Sequence, residues 1–190
     1  IFYCNGIFLY NPHMTISIIR HTKVYNPENI CYGQQDIELA SSFVSDATHI
    51  VSYCQNKSKS IIFSSPSTRC IQLAQLCFPH HTIHIDTRLV EMNFGTWQGK
   101  PWKTLEEESR LFYESFTPYT PFPQGESFDD VCQRIQNFFL DIQYLNDTNV
   151  ILFTHGGTIR ACLSYLQHIP MEQACMMPVE FGQIFTHSEL

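Results

Sequence analysis

The chain has little charge. Asp, Glu, Lys and Arg make up 15% of its 190 residues, against roughly a quarter in ordinary soluble domains. Basic residues are the scarcer sign: 11 Lys and Arg face 18 Asp and Glu, for a net charge of −7. Nucleic acids and acidic membrane surfaces are held by clustered Lys and Arg, so the shortage argues against both as partners. An acidic protein that binds an anion must gather its few arginines in one place.

Long apolar runs are lacking too. No stretch matches the span of about 20 apolar residues that crosses a bilayer. The 8 cysteines contain no C-x-x-C pair, and Cys70, Cys77, Cys132 and Cys162 fall inside apolar patterns. They read as buried free thiols of a reducing cytosol, not as a disulfide framework, so the expected location is cytoplasmic. Internal repeats and low-complexity segments are absent. No Lys or Arg precedes Arg20, and Asn5-Gly6 interrupts the first apolar residues, which does not fit a signal peptide. We expect Met14 to be the natural start, residues 1–13 a dispensable extension, and 14–190 a single domain.

What is present is an alternation of apolar runs and helical stripes. Strands are expected at 15–20, 60–64, 84–86, 149–154 and 183–186. Ile37, Ala40, Val44, Ala47 and Val51 recur at helical spacing, predicting a helix from near Ile37 into the low fifties. Ser65-Pro66 signals a helix start. Ser127 with Asp130 resembles a capping box, ahead of the stripe Phe128, Val131, Ile135, Phe138 and Ile142. Another helix is expected over 158–167. The stretch 95–125, with Trp97, Trp102, Glu106-Glu107-Glu108 and a Pro-rich end at Pro118, Pro121 and Pro123, reads as an insertion with a helix near Lys103 to Phe116. Strands alternating with helices predict an α/β fold: a three-layer sandwich around a mostly parallel, mixed sheet.

Four short segments follow strands. They are Arg20-His21-Thr22, Ser64-Ser65-Pro66-Ser67-Thr68-Arg69, Glu91-Met92-Asn93-Phe94-Gly95 and Thr154-His155-Gly156-Gly157. Ligands bind beyond the carboxyl ends of strands in open α/β sheets. Together the segments supply two arginines, two histidines and one carboxyl group. Guanidinium groups match phosphate oxygens, an imidazole can attack phosphorus, a carboxylic acid can protonate the leaving oxygen, and helix N-terminal amides favour an anion. The set suits phosphoryl transfer. His80-His81 and His84 lack a carboxylate or Cys partner and are not read as a metal site.

In this order the four motifs resemble the histidine phosphatase superfamily, with its phosphoglycerate mutase-like fold, over Thr15 to Thr186. The resemblance implies His21 as phosphorylated nucleophile, and Arg20, Arg69 and His155 as the phosphate clamp. It implies Glu91 as general acid and then base. Thr22, Asn26 and Gly156 are further phosphate-binding candidates, and the insertion is expected to act as a small helical lid. No metal or cofactor is implied. Thr22 stands where the family usually has glycine. A narrower likeness, in Ile30 to Leu39 and Glu91 to Trp97, is to the α-ribazole phosphatase branch of cobalamin synthesis. The expected substrate is a small phosphorylated metabolite such as α-ribazole 5′-phosphate, handled by a monomer or homodimer. A phosphoglycerate mutase-type transfer and a phospholigand-binding protein with a relic site stay open as alternatives.

Overall fold

The computed structural model describes residues 14–145 and 148–188; the expected extension 1–13 lies outside them. Five strands form one sheet: β1 (Thr15–Arg20), β2 (Ile61–Ser64), β3 (Ile83–Ile85), β4 (Val150–Thr154) and β5 (Ile184–Ser188). The helices are α1 (Phe43–Cys54), α2 (Thr68–Cys77), α3 (Glu106–Glu114), α4 (Phe128–Ile142), α5 (Gly156–Leu166) and the short α6 (Met171–Ala174). The strand order is β3-β2-β4-β1-β5, with β5 alone antiparallel.

Successive side chains of a strand point to opposite faces, so a strand apolar throughout must be covered twice. Ile16, Ile18, Val150 and Leu152 belong to one core, shared with α4 and α5. Ile19, Ile62, Ile151 and Phe153 belong to the other, shared with α1 and α2. The result is the expected three-layer sandwich around a mixed sheet.

Several boundaries differ from the periodicity. The helix expected near Ile37 starts only at Phe43. Residues before it are held extended: Tyr25 N donates to Glu38 O at 2.7 Å, and Val24 bridges Leu39. Asp36 accepts from Thr68 N and Oγ1 at 2.9 and 3.0 Å. Helix α2 begins after Ser67, not after Ser65; the Ser65 hydroxyl accepts from Ser67 N at 3.3 Å and meets His155 Nε2 at 2.8 Å. The insertion splits its expected helix into a 3-10 turn, Trp102–Thr104, and α3. The capping box stands, with Ser127 Oγ and Asp130 Oδ2 each accepting from the other's amide.

The 95–125 stretch folds around its own aromatic cluster. Phe122 lies 4.8 Å from Phe94, 5.1 Å from Trp97 and 4.6 Å from Phe112 between ring centroids. Gly95 (φ +55°) closes the loop: a Cβ there would meet Pro123 O at 2.0 Å, so no other residue fits. Glu106, Glu107 and Glu108 are exposed, though Glu108 also takes the Trp97 indole N–H at 2.7 Å.

Candidate active site

The site is built on the ends of three adjacent strands. Arg20 pairs with Thr154 across β1 and β4, and Ser64 pairs with Phe153 across β2 and β4. Neighbouring strands run about 4.8 Å apart. Residues one step past paired ends are therefore brought into contact. The rings of His21 and His155 stand 5.2 Å apart between centroids, edge to face. Both histidines are fully buried.

Hydrogen bonds set their tautomers and orientations. His21 Nδ1 lies 2.7 Å from Thr22 O. A carbonyl only accepts, so Nδ1 carries the proton and Nε2 keeps its lone pair. Ser65 Oγ meets His155 Nε2. Burial first, then the charge of Arg69, holds His21 down to about pKa 3, against the hydrogen bond to Thr22 that raises it. Burial and Arg69 also push His155 well below its ordinary value. Both imidazoles are neutral at neutral pH.

This neutrality has a measurable consequence. The unfolded chain takes up protons on these histidines as pH falls through about 6.5, while folded His21 stays neutral to about 3. The unfolded state binds more protons in that window, so stability falls as pH drops from 6.5 toward 3. Each histidine steepens the loss by up to ~1.4 kcal/mol per pH unit. Urea unfolding of His21→Gln between pH 4 and 7 is expected to show a shallower dependence than wild type. An identical slope would show that His21 is not held neutral.

Three arginines meet here. Arg88, Arg110 and Arg134 are paired with carboxylates. Arg20, Arg69 and Arg160 have no ion pair among the described residues. Arg69, in the first turn of α2, is 0% exposed and donates to Gly33 O at 2.7 Å and Gln35 O at 2.9 Å. Arg20 donates to Val179 O and lies over the Phe181 ring, 3.9 Å from its centroid. The Nε atoms of both are buried and find no partner among the described residues. Buried donors of this kind are normally satisfied, and an anion with several oxygens would satisfy two guanidinium groups at once.

Glu91 closes the other side. Its Oε1 accepts from Met92 N and from Gly157 N, each at 2.9 Å. That leaves Oε2 without a partner among the described residues. A Cβ on residue 157 would stand 2.6 Å from Oε1, so the second glycine of Thr-His-Gly-Gly makes room for the acid. Arg20, Glu91, Gly156, Gly157 and Arg160 line one cleft of about 200 Å³. Its other wall is apolar, with Ile30, Tyr32, Phe94 and Trp102.

Of the residues singled out by sequence, Arg20, His21, Arg69, Glu91, His155 and Gly156 come together. Asn26 does not join them, because both ends of its amide bond the backbone of Ile30, at 2.8 and 2.9 Å. The Thr22 side chain lines a separate cleft with Lys23, His49 and Phe181. Thr158 donates to Val90 O at 2.6 Å and neither caps α5 nor lines the cleft. Gln34 reaches Glu91 O at 2.8 Å, and Tyr32 lies in the wall. Trp97 is core and Arg88 is an ion-pair residue. Arg160 and Ser65 were missed as site residues. Arg160 could have been found from its place four residues after Gly156, on the same face of α5.

The profile of the histidine phosphatase superfamily, branch 1, matches residues 16–185. A Hydrogenobacter thermophilus protein provisionally named phosphoserine phosphatase 2 is 29% identical over 82% of this chain and 79% of its own length. A 2,3-bisphosphoglycerate-dependent phosphoglycerate mutase of Chlamydia pneumoniae is 25% identical, covering 87% and 90%. Among solved structures, the α-ribazole phosphatase of Shigella flexneri superposes with a TM-score of 0.80 at 22% identity, over 91% of this chain and 89% of that one, a likeness of fold. No helix among the described residues is long and apolar enough to cross a membrane. With paired histidines, unpaired arginines and an acid on these strand ends, the chain belongs to the histidine phosphatase superfamily, branch 1, and is a phosphoric monoester hydrolase.

Proposed function

We propose that this hydrolase works in two steps through a phosphohistidine on His21. Nε2 of His21 attacks phosphorus and the bond to the leaving alcohol breaks. Glu91 gives its Oε2 proton to the departing oxygen. Water then attacks the phosphohistidine and returns a proton to Glu91, and inorganic phosphate leaves. Arg20, Arg69, His155 and the amides at the start of α5 hold the charge that builds on the phosphoryl oxygens. The carrying observation is the fixed tautomer of His21, its Nδ1 spent on Thr22 O, among arginines with open Nε donors. Every role is filled by a group of the chain or by water, so activity is expected to survive EDTA.

As substrate we propose a small phosphorylated metabolite, with α-ribazole 5′-phosphate as the leading case. The aromatic wall of Tyr32, Phe94 and Trp102 suits its base. One observation favours a second reading. Arg160 spends Nε on Met177 O at 2.7 Å and its Nη pair has no partner among the described residues, which suits a substrate whose leaving group carries its own anion, such as 3-phosphoglycerate. Labelling with a radioactive phosphomonoester and acid quench is expected to trap acid-labile, base-stable phosphate on wild type. A panel with α-ribazole 5′-phosphate, phosphoserine and 3-phosphoglycerate then ranks kcat/KM and reports any mutase product. Absence of trapped phosphate during turnover rejects the phosphohistidine.

A further inference from the structure

We infer that the ion pair Glu126–Arg134 is the positioning device of Glu91, and that it ties proton delivery to the aromatic insertion. The inference rests on Glu91 as proton donor. Arg134, on α4, places Nε 3.0 Å from Glu126 Oε1, and both side chains are largely buried. The same guanidinium donates through Nη1 to Arg88 O and through Nη2 to Glu91 O at 3.3 Å. Glu126 accepts from Asn93 N at 2.8 Å, and its own amide donates to Asn93 O at 2.8 Å. Residues 88, 91 and 93 are thus pinned by one pair, and Gln34 donates to the same Glu91 carbonyl at 2.8 Å. The backbone carrying the acid has no regular strand or helix to hold it, so its place depends on side-chain bonds: these, together with Gln34 to Glu91 O, Thr154 to Leu89 O and Thr158 to Val90 O.

Glu126 lies where the insertion ends, one residue before the cap of α4. Phe122 N donates to its carbonyl at 3.1 Å, and Phe122 is the centre of the aromatic cluster. A shift of the insertion therefore passes to Asn93 and Glu91 through Glu126. Among the described residues neither member of the pair is hydrogen-bonded to Arg20, His21 or Arg69, so these three are placed without it. A half-buried pair loses its balance when one charge is removed, and small misplacements of a catalytic group are costly.

A general acid matters for an alcohol leaving group and hardly at all for p-nitrophenolate. A pair that only stabilised the fold would lower activity on both kinds of ester together. The test compares kcat/KM, which reports steps up to the phosphoenzyme, for glycerol phosphate and p-nitrophenyl phosphate. The proteins are wild type, E91Q, E126Q, R134M and R134K, each checked by thermal unfolding. E91Q is expected to lose about 100-fold on glycerol phosphate and under about threefold on the nitrophenyl ester. E126Q and R134M are expected to lose about 10-fold and under about threefold respectively on the two esters, with R134K between them and wild type. Vanadate inhibition should be unchanged in all. Selective loss in E91Q with equal or no loss in E126Q and R134M overturns the inference alone. Unselective E91Q removes Glu91 as donor, and the inference with it.

Discussion

Replacing His21 by alanine is expected to lower kcat by about a million-fold, the scale of a lost nucleophile, and to abolish acid-labile protein phosphate. No other group on the strand ends can take over. His155 is the nearest imidazole, but its Nε2 is engaged by Ser65. The alanine protein should fold, because the imidazole makes one hydrogen bond within the protein, to Thr22 O, and neither ring is charged. The clamp of Arg20 and Arg69 remains, so vanadate should still bind within about tenfold of wild type, where one lost contact is worth roughly 1 kcal/mol. Steady-state assays and vanadate inhibition check both halves. Turnover within tenfold of wild type would remove His21 from the reaction.

Arg69→Met is expected to cost about a thousand-fold in kcat/KM, as two charge-assisted hydrogen bonds to phosphate are lost at about 1.5–3 kcal/mol each. Stability responds differently. The variant leaves Gly33 O and Gln35 O without their donors, at about 1–3 kcal/mol each, yet it also removes a fully buried cation that no carboxylate balances. The sharper readout is linkage. Inorganic phosphate binds the folded state and raises Tm in proportion to RT ln(1 + [L]/Kd). That rise should appear in wild type and vanish in Arg69→Met. An equal rise in both would place the phosphate elsewhere.

These residues also show how far a chain can be read before it is folded. Arg20, His21 and His155 were visible because each ends an apolar run, and a run ends where the strand leaves the core; Glu91 was visible through its motif, six residues past β3. Ser65 was visible as a turn signal and misread. Its hydroxyl had two plausible uses, capping α2 or bonding His155, and only the packing of β2 beside β4 chooses between them. Asn26 carried a family expectation, but a local loop bond to Ile30 consumed its amide. Ile37 and Ala40 had helical spacing, but the segment pairs with 23–25 instead, Tyr25 N donating to Glu38 O and Ala40 N to Lys23 O. Propensity lost to tertiary pairing in each case.

By itself the sequence determined the layers and the chemistry. Strands apolar on both faces must be covered twice, and the residue types at their ends must meet an anion. Only the tertiary structure decided the neighbours. The order β2-β4-β1 sets Ser65, His155 and His21 side by side, although 90 and 134 residues separate the outer two from His155. It also decided that Arg160 and Gly157 face Glu91's cleft, and that Glu126 and Arg134 brace the acid. Periodicity records which side of an element is buried. It carries no record of which element lies against that side, and the geometry of the site is set there.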